Sequence, residues 1–167
     1  MPTLLPAFVT DLGVSAADQL QLLGLLLLAA TLGALIGVER EVANKAAGAR
    51  THMLVASGAA LAAAVGHVLL TPDGSGDPAR ALHAVLTGIG FLGAGAIIRH
   101  ESGGTVEGLT TAASLWFAAA VGITAGLGLM FLATGATILA LVILRVVRWA
   151  LARWDPRHVA PGRPADS

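Results

Sequence analysis

The 167-residue chain contains no cysteine, which excludes disulfides, thiolate metal sites and cysteine nucleophiles. Charge is scarce as well: only 12% of residues are Asp, Glu, Lys or Arg, where a soluble domain usually carries about a quarter. Between Met1 and Leu20 there is no Lys or Arg, so the basic start of a secretory signal is missing and no cleaved leader is expected. What is present is apolar, with 56% hydrophobic residues and a mean hydropathy of +0.80.

From Gly108 to Leu144 the chain runs 37 residues without a charged side chain. A straight helix of that length would reach roughly 55 Å, against roughly 30 Å of hydrocarbon core in a bilayer. The segment must fold back, and Gly126-Leu127-Gly128 is the natural hairpin point. Three further apolar stretches give five expected spans: Leu20–Val38, Met53–Leu70, Leu82–Ile98, Thr110–Ala125 and Leu129–Val147. With no alternating barrel pattern, and with backbone groups that must be satisfied inside the bilayer, the fold class is an all-α, multi-pass transmembrane helix bundle.

Charge distribution orients it. Arg40, Lys45, Arg50, Arg99, Arg145, Arg148, Arg153, Arg157 and Arg163 fall on one side of a five-span arrangement and Arg80 alone on the other. This bias places the N-terminus outside and the C-terminus in the cytoplasm. Residues 1–19 form an extracytoplasmic segment, 20–147 the membrane domain and 148–167 a basic, Pro-containing cytoplasmic tail. Arg145, Arg148, Trp149, Arg153 and Trp154 make an interfacial belt suited to anionic headgroups.

Small residues recur at helical spacing. Gly33 and Gly37, Gly58 with Ala62 and Gly66, and Gly122 with Gly126 offer faces for close helix approach. Gly88, Gly90, Gly93 and Gly95 suggest that the third span packs on more than one neighbour. The literal G-x-G-x-x-G from Gly88 to Gly93 follows no strand, so it does not read as a dinucleotide site. Glycine faces in excess of one bundle's needs point to a homodimer or a membrane-protein partner, with Gly122 and Gly126 as the expected contact. The lipid bilayer is the obligatory partner, and nucleic acid is not expected.

Two groups of polar residues lie at opposite ends. At the basic end, Glu39 and Arg40 close one span while Arg50 and His52 open the next. Arg50 at a helix N-terminus is opposed by the macrodipole, so a Glu39–Arg50 pair is expected, with Thr51 as the helix cap. These residues serve either a local ion pair or a functional surface. Glu39 and Glu41, two apart, face nearly opposite sides of a helix and make a poor pair for one ion. At the other end, Asp77-Pro78 reads as a helix start, and Arg80 is expected to pair with Asp77. His67, Asp73, Asp77 and His83 approach that interface and are residue types able to bind a divalent metal or sense protons, but nothing in the sequence fixes their mutual distances. Thr110 and Thr111 are expected to cap their helix or to hydrogen-bond across helices.

No HExxH, P-loop or Ser-His-Asp order appears, and Ser114 has no base within reach along the sequence. An enzyme is therefore not expected. No span has a carboxylate near its middle, so no resident cofactor is expected; magnesium association stays open without a visible site, and a metal site is unknown.

Several segments together resemble the MgtC/SapB family of bacterial membrane proteins. They are Gly37–Arg40, Gly48-Ala-Arg-Thr-His-Met-Leu-Val55, Asp77-Pro-Ala-Arg80, Thr87-Gly-Ile-Gly-Phe-Leu-Gly-Ala-Gly-Ala-Ile-Ile98 and Val106 to Trp116. The resemblance runs from Leu20 to Leu144, in the family's order and spacing. It implies a five-span hydrophobic domain in a bacterial inner membrane and a role in magnesium homeostasis and adaptation to magnesium limitation. It also implies action on other membrane machinery, such as ATP synthase, with ion or small-solute transport as the alternative. Ala46, Ala49, Ala84 and Glu107 depart from residues common in the family. Many members add a small cytoplasmic C-terminal domain, which residues 148–167 are too short to form.

Overall fold

A computed structural model describes residues 14–70, 79–99 and 106–154. Its element order is α1 (Ala16–Val42), α2 (Ala49–Leu70), α3 (Ala79–Gly95), β1 (Ile98–Arg99), β2 (Val106–Glu107), α4 (Leu109–Gly126) and α5 (Met130–Trp154). Five helices match the five expected spans. By length and composition, three of them are able to cross a membrane: Ala16–Val42, Leu109–Gly126 and Met130–Ala150. Leu82–Gly95 is a shorter apolar helix.

Local chemistry explains the ends of α1. Ser15 accepts from the Asp18 backbone N–H at 3.2 Å, and Asp18 accepts from the Ser15 N–H at 2.8 Å. This capping box starts the helix four residues before the expected span. At its other end Asn44 takes a positive φ of 53°, Asn44 N–H donates to Glu41 and Lys45 N–H to Arg40. That arrangement satisfies two terminal carbonyls and turns the chain toward α2. The same motif, with Gly128 at φ 80°, closes α4 and makes the expected hairpin into α5. α5 then continues to Trp154, so the basic belt expected in or beside the tail is helical, and Arg153 lies over the Trp149 ring at 5.0 Å.

The third span departs from expectation. Its helix stops at Gly95, and Ile98–Arg99 pairs antiparallel with Val106–Glu107 in a two-strand ladder. Gly108, at φ 88°, then delivers the chain into α4, and a side chain there would collide with the Ala96 carbonyl oxygen. The helix cannot run through Ile98 because the chain must reverse within this tight connection.

α2 is the central helix, gripped from two sides by glycines. A Cβ on Gly33 would sit 2.5 Å from the His52 carbonyl oxygen, and one on Gly37 would sit 2.5 Å from the Ala49 Cα. On the other side, a Cβ on Gly122 would collide with the Ala56 carbonyl oxygen, and one on Gly126 with that of Ala60. Backbones therefore touch, and Ala56 and Ala60 are fully buried between their neighbours. Around this contact Ala29, Leu32, Ile36, Ala118, Val121, Ala125 and Ala133 form the core. Gly122 and Gly126 thus face the bundle interior, and the association contact expected there is not open to a second copy. In α3 only Gly93 has a near neighbour, Ala112 at 3.6 Å, while Gly88, Gly90 and Gly95 have none within 4 Å. A Cβ would be tolerated at those three positions, so close helix approach does not account for them.

Candidate functional site

Four helices bring polar side chains together at one end of the bundle. Glu39 and Arg40 lie in the last turns of α1, His52 in the first turn of α2, Thr111 and Ser114 at the start of α4, and Arg148 near the end of α5. Glu39, Arg40, His52, Thr111 and Ser114 are all buried. Buried charge is stable only when it is paired. Here Arg40 Nε donates to Glu39 Oε2 at 2.6 Å, and Arg40 Nη2 lies 2.5 Å from the same oxygen. The other oxygen, Oε1, has no hydrogen-bond partner and faces Arg148 Nη1 at 3.4 Å.

This geometry corrects the expected pairing. The ion-pair partners of Glu39 are Arg40 and Arg148, while Arg50 stands exposed on α2. Ala49 is the residue that meets Gly37 of α1, and Arg50 is the next position around the helix, on the outward side. The dipole argument is met instead by Glu41, whose Oε2 accepts from the Ala49 N–H at 3.0 Å. A carboxylate thus occupies the N-terminus of α2, as its partial positive charge favours, and the cap is Glu41 rather than Thr51. Glu39 points in and Glu41 out, consistent with their spacing.

His52 is fully buried and bridges two helices. Its Nδ1 lies 2.9 Å from the Gly48 carbonyl oxygen, so Nδ1 carries the proton and donates. Nε2 lies 3.0 Å from Ser114 Oγ. The Ser114 hydroxyl is also 2.8 Å from the Thr111 carbonyl oxygen, giving its single proton two acceptors when the ring is neutral. Ser114 therefore does have a base within reach. Sixty-two positions separate it from His52 in sequence, and the glycine-mediated approach of α2 to α4 closes the gap. The group that orients the ring is a backbone carbonyl, and the pair acts as an interhelical hydrogen bond. His52→Leu is expected to cost about 1–3 kcal/mol, because the buried hydrogen bond between α2 and α4 is lost and Ser114 keeps only the Thr111 carbonyl of its own helix. A lower melting temperature in detergent, with the helical signal retained before the transition, measures it.

Thr110 and Thr111 do not cap α4. The cap residue is Gly108, which makes no side-chain hydrogen bond, and Thr111 is buried while Thr110 is exposed. At the opposite end Arg80 is exposed in the first turn of α3, His83 is exposed one turn on, and Asp73 and Asp77 lie outside the described residues. The expected Asp77–Arg80 pair therefore falls there too. Among the described residues no group of three or more His, Asp or Glu side chains is placed to hold a metal ion.

Neither Arg148 as the second partner of Glu39 nor Ser114 as the partner of His52 is legible in the sequence. Each was visible as a residue, but helical periodicity says nothing about which helix faces which.

The MgtC family model matches residues 26–153. Protein MgtC of Salmonella typhimurium is 44% identical over 128 residues, covering 77% of this chain and 53% of the relative. Protein MgtC of Brucella abortus is 42% identical over 117 residues, covering 70% and 47%. A Haemophilus influenzae protein described only as uncharacterized is 39% identical over 142 residues, covering 79% and 59%. The chain spans about half the length of these relatives. No solved structure matches it. The matched region runs from the middle of α1 to the end of α5 and so contains the whole buried cluster: this membrane helix bundle belongs to the MgtC family.

Proposed function

We infer that this chain serves magnesium homeostasis in a bacterial inner membrane, and that it works by modulating other membrane proteins. In this reading its N-terminus is outside and its C-terminus cytoplasmic. The observation that carries it is where the polar groups lie. At a single end Glu39 is paired with Arg40 and Arg148, and His52 with Ser114. Deeper in the bundle, α1, α2 and α4 meet through glycine, alanine and backbone. Magnesium favours octahedral oxygen ligands and keeps several waters. A closely packed alanine and glycine interior suits a rigid scaffold better than a hydrated path. The family match supports the assignment to magnesium physiology.

Purified protein in sealed liposomes is expected to give no magnesium flux above empty liposomes. Deletion in the native host is expected to impair growth at limiting magnesium. Co-purification from native membranes at low and high magnesium is expected to recover a membrane-protein partner, of which ATP synthase is the one the family resemblance suggests. The same experiment reports self-association. Magnesium flux above the control that disappears in Arg80→Ala would replace the modulator by a transporter.

A further inference from the structure

Between α1, α4 and α5 lies a slot of about 190 Å³, lined by Ile36, Thr110, Ser114, Phe117, Ala140 and Leu144 among others. Its walls are apolar apart from two hydroxyl residues, and it is open on the side of the exposed residues Thr110 and Ile143. A helix is about 10–12 Å across with its side chains. A space this small admits a flexible chain, not a helix.

One end of the slot is marked by charge. Ile36 and Leu144 line it, and about one helical turn further along the same two helices stand Glu39 and Arg148. Arg40 already holds the Glu39 carboxylate through its Nε and Nη2. The Arg148 guanidinium, 43% exposed and 3.4 Å from the remaining oxygen, is therefore a second cation on one carboxylate. The three groups sum to one excess positive charge. Arg145 and Arg153 add to it, and α5 has no acidic residue from Met130 to Trp154 to offset them. Arg148 is also 18 residues from the start of α5, about 27 Å along the axis, which sets it at the edge of a hydrocarbon core of about 30 Å that begins near Met130.

We propose that the slot and Arg148 together bind an anionic phospholipid, with an acyl chain in the slot and the headgroup phosphate on the Arg148 guanidinium beside the Thr110 hydroxyl. An apolar slot that ends in a surplus cation at the interface complements both parts of that molecule. Guanidinium is suited to phosphate because its fork of donors matches the phosphate oxygens. A zwitterionic lipid of the same chains fills the slot but brings its own cation to Arg148, so the site discriminates by charge.

The test uses the full chain in detergent, with phosphatidylglycerol, phosphatidylcholine of identical chains, or inorganic phosphate added. Melting temperature and lipid retention in native mass spectrometry are read together. Phosphatidylglycerol is expected to stabilise the wild type more than phosphatidylcholine does, and inorganic phosphate to do little. Arg148→Gln is expected to lower apparent affinity for phosphatidylglycerol about tenfold, the loss of one charge-assisted contact, and to remove the preference. Ala113→Leu narrows the slot from an exposed position without touching Glu39, and is expected to reduce retention of both lipids. Equal stabilisation of the wild type by the two lipids would overturn the proposal. So would unchanged retention in Ala113→Leu, or a response to inorganic phosphate as large as that to phosphatidylglycerol, which would indicate a free-anion site.

Discussion

Gly122→Leu is expected to abolish the folded bundle. A single Cβ at this position already collides with the carbonyl oxygen of Ala56 and falls 2.8 Å from its carbonyl carbon and 2.9 Å from its Cα. These are backbone atoms of the central helix, and they cannot move aside as a flexible side chain would. On the other side of α2, a Cβ on Gly33 would lie 2.9 Å from the Ala56 Cβ, so α2 cannot retreat from α4 without meeting α1. Overpacking against a yielding neighbour typically costs about 1–3 kcal/mol. Backbone collision on both sides of one helix belongs above that range, at about 4 kcal/mol or more for leucine. The variant should yield little monodisperse protein, whereas Gly88→Ala, where nothing lies within 4 Å, should melt like the wild type. A folded Gly122→Leu protein with wild-type melting and weakened self-association would mean instead that this face is an intermolecular contact.

Glu39→Gln is expected to be the most damaging change in the polar cluster, at about 3–5 kcal/mol. The Glu39 side chain is 1% exposed and carries the only negative charge facing Arg40 and Arg148 in the described cluster. Removing it leaves Arg40, itself 3% exposed, buried and uncompensated. Arg40→Met should cost less, because Arg148 remains 3.4 Å from Glu39 and is partly in contact with solvent. The double change Glu39→Leu with Arg40→Met removes both buried charges and should be closer to the wild type than Glu39→Gln, since the one charge left without its partner, Arg148, is 43% exposed and solvated. Thermal melting of Glu39→Leu, Arg40→Met and the double variant that combines them, in one detergent, gives the coupling. Additive losses would show that the two side chains act independently, contrary to the 2.6 Å contact between them.

Much of the fold was legible because a bilayer permits few solutions. Apolar runs of the right length, separated by charge, had to be helices, and Gly126-Leu127-Gly128 had to turn because the run around it was too long for one crossing. The ends were less legible. α1 begins early because Ser15 and Asp18 make a reciprocal cap, and α3 ends early because β1 and β2 pair through a register that a two-residue strand does not announce. The expected Glu39–Arg50 pair failed for a related reason. Both residues were placed at the correct end, but rotation about each helix axis decides contact, and the Gly37–Ala49 approach turns Arg50 outward while Glu39 turns in.

Composition and spacing alone determined a membrane-embedded all-α bundle, its turn at Gly126-Leu127-Gly128, and the segregation of basic residues, because these follow from one-dimensional hydropathy and from backbone hydrogen bonding in lipid. Only the tertiary structure decided that Gly122 and Gly126 are consumed by α2, that Ser114 meets His52, and that Arg148 joins Glu39. Those contacts join residues far apart in the chain, 62 positions for His52 and Ser114 and 109 for Glu39 and Arg148, and they form only after the helices have taken up their relative rotations. Rotation is fixed by where two backbones can touch, a property of pairs of surfaces that no single helix carries in its sequence.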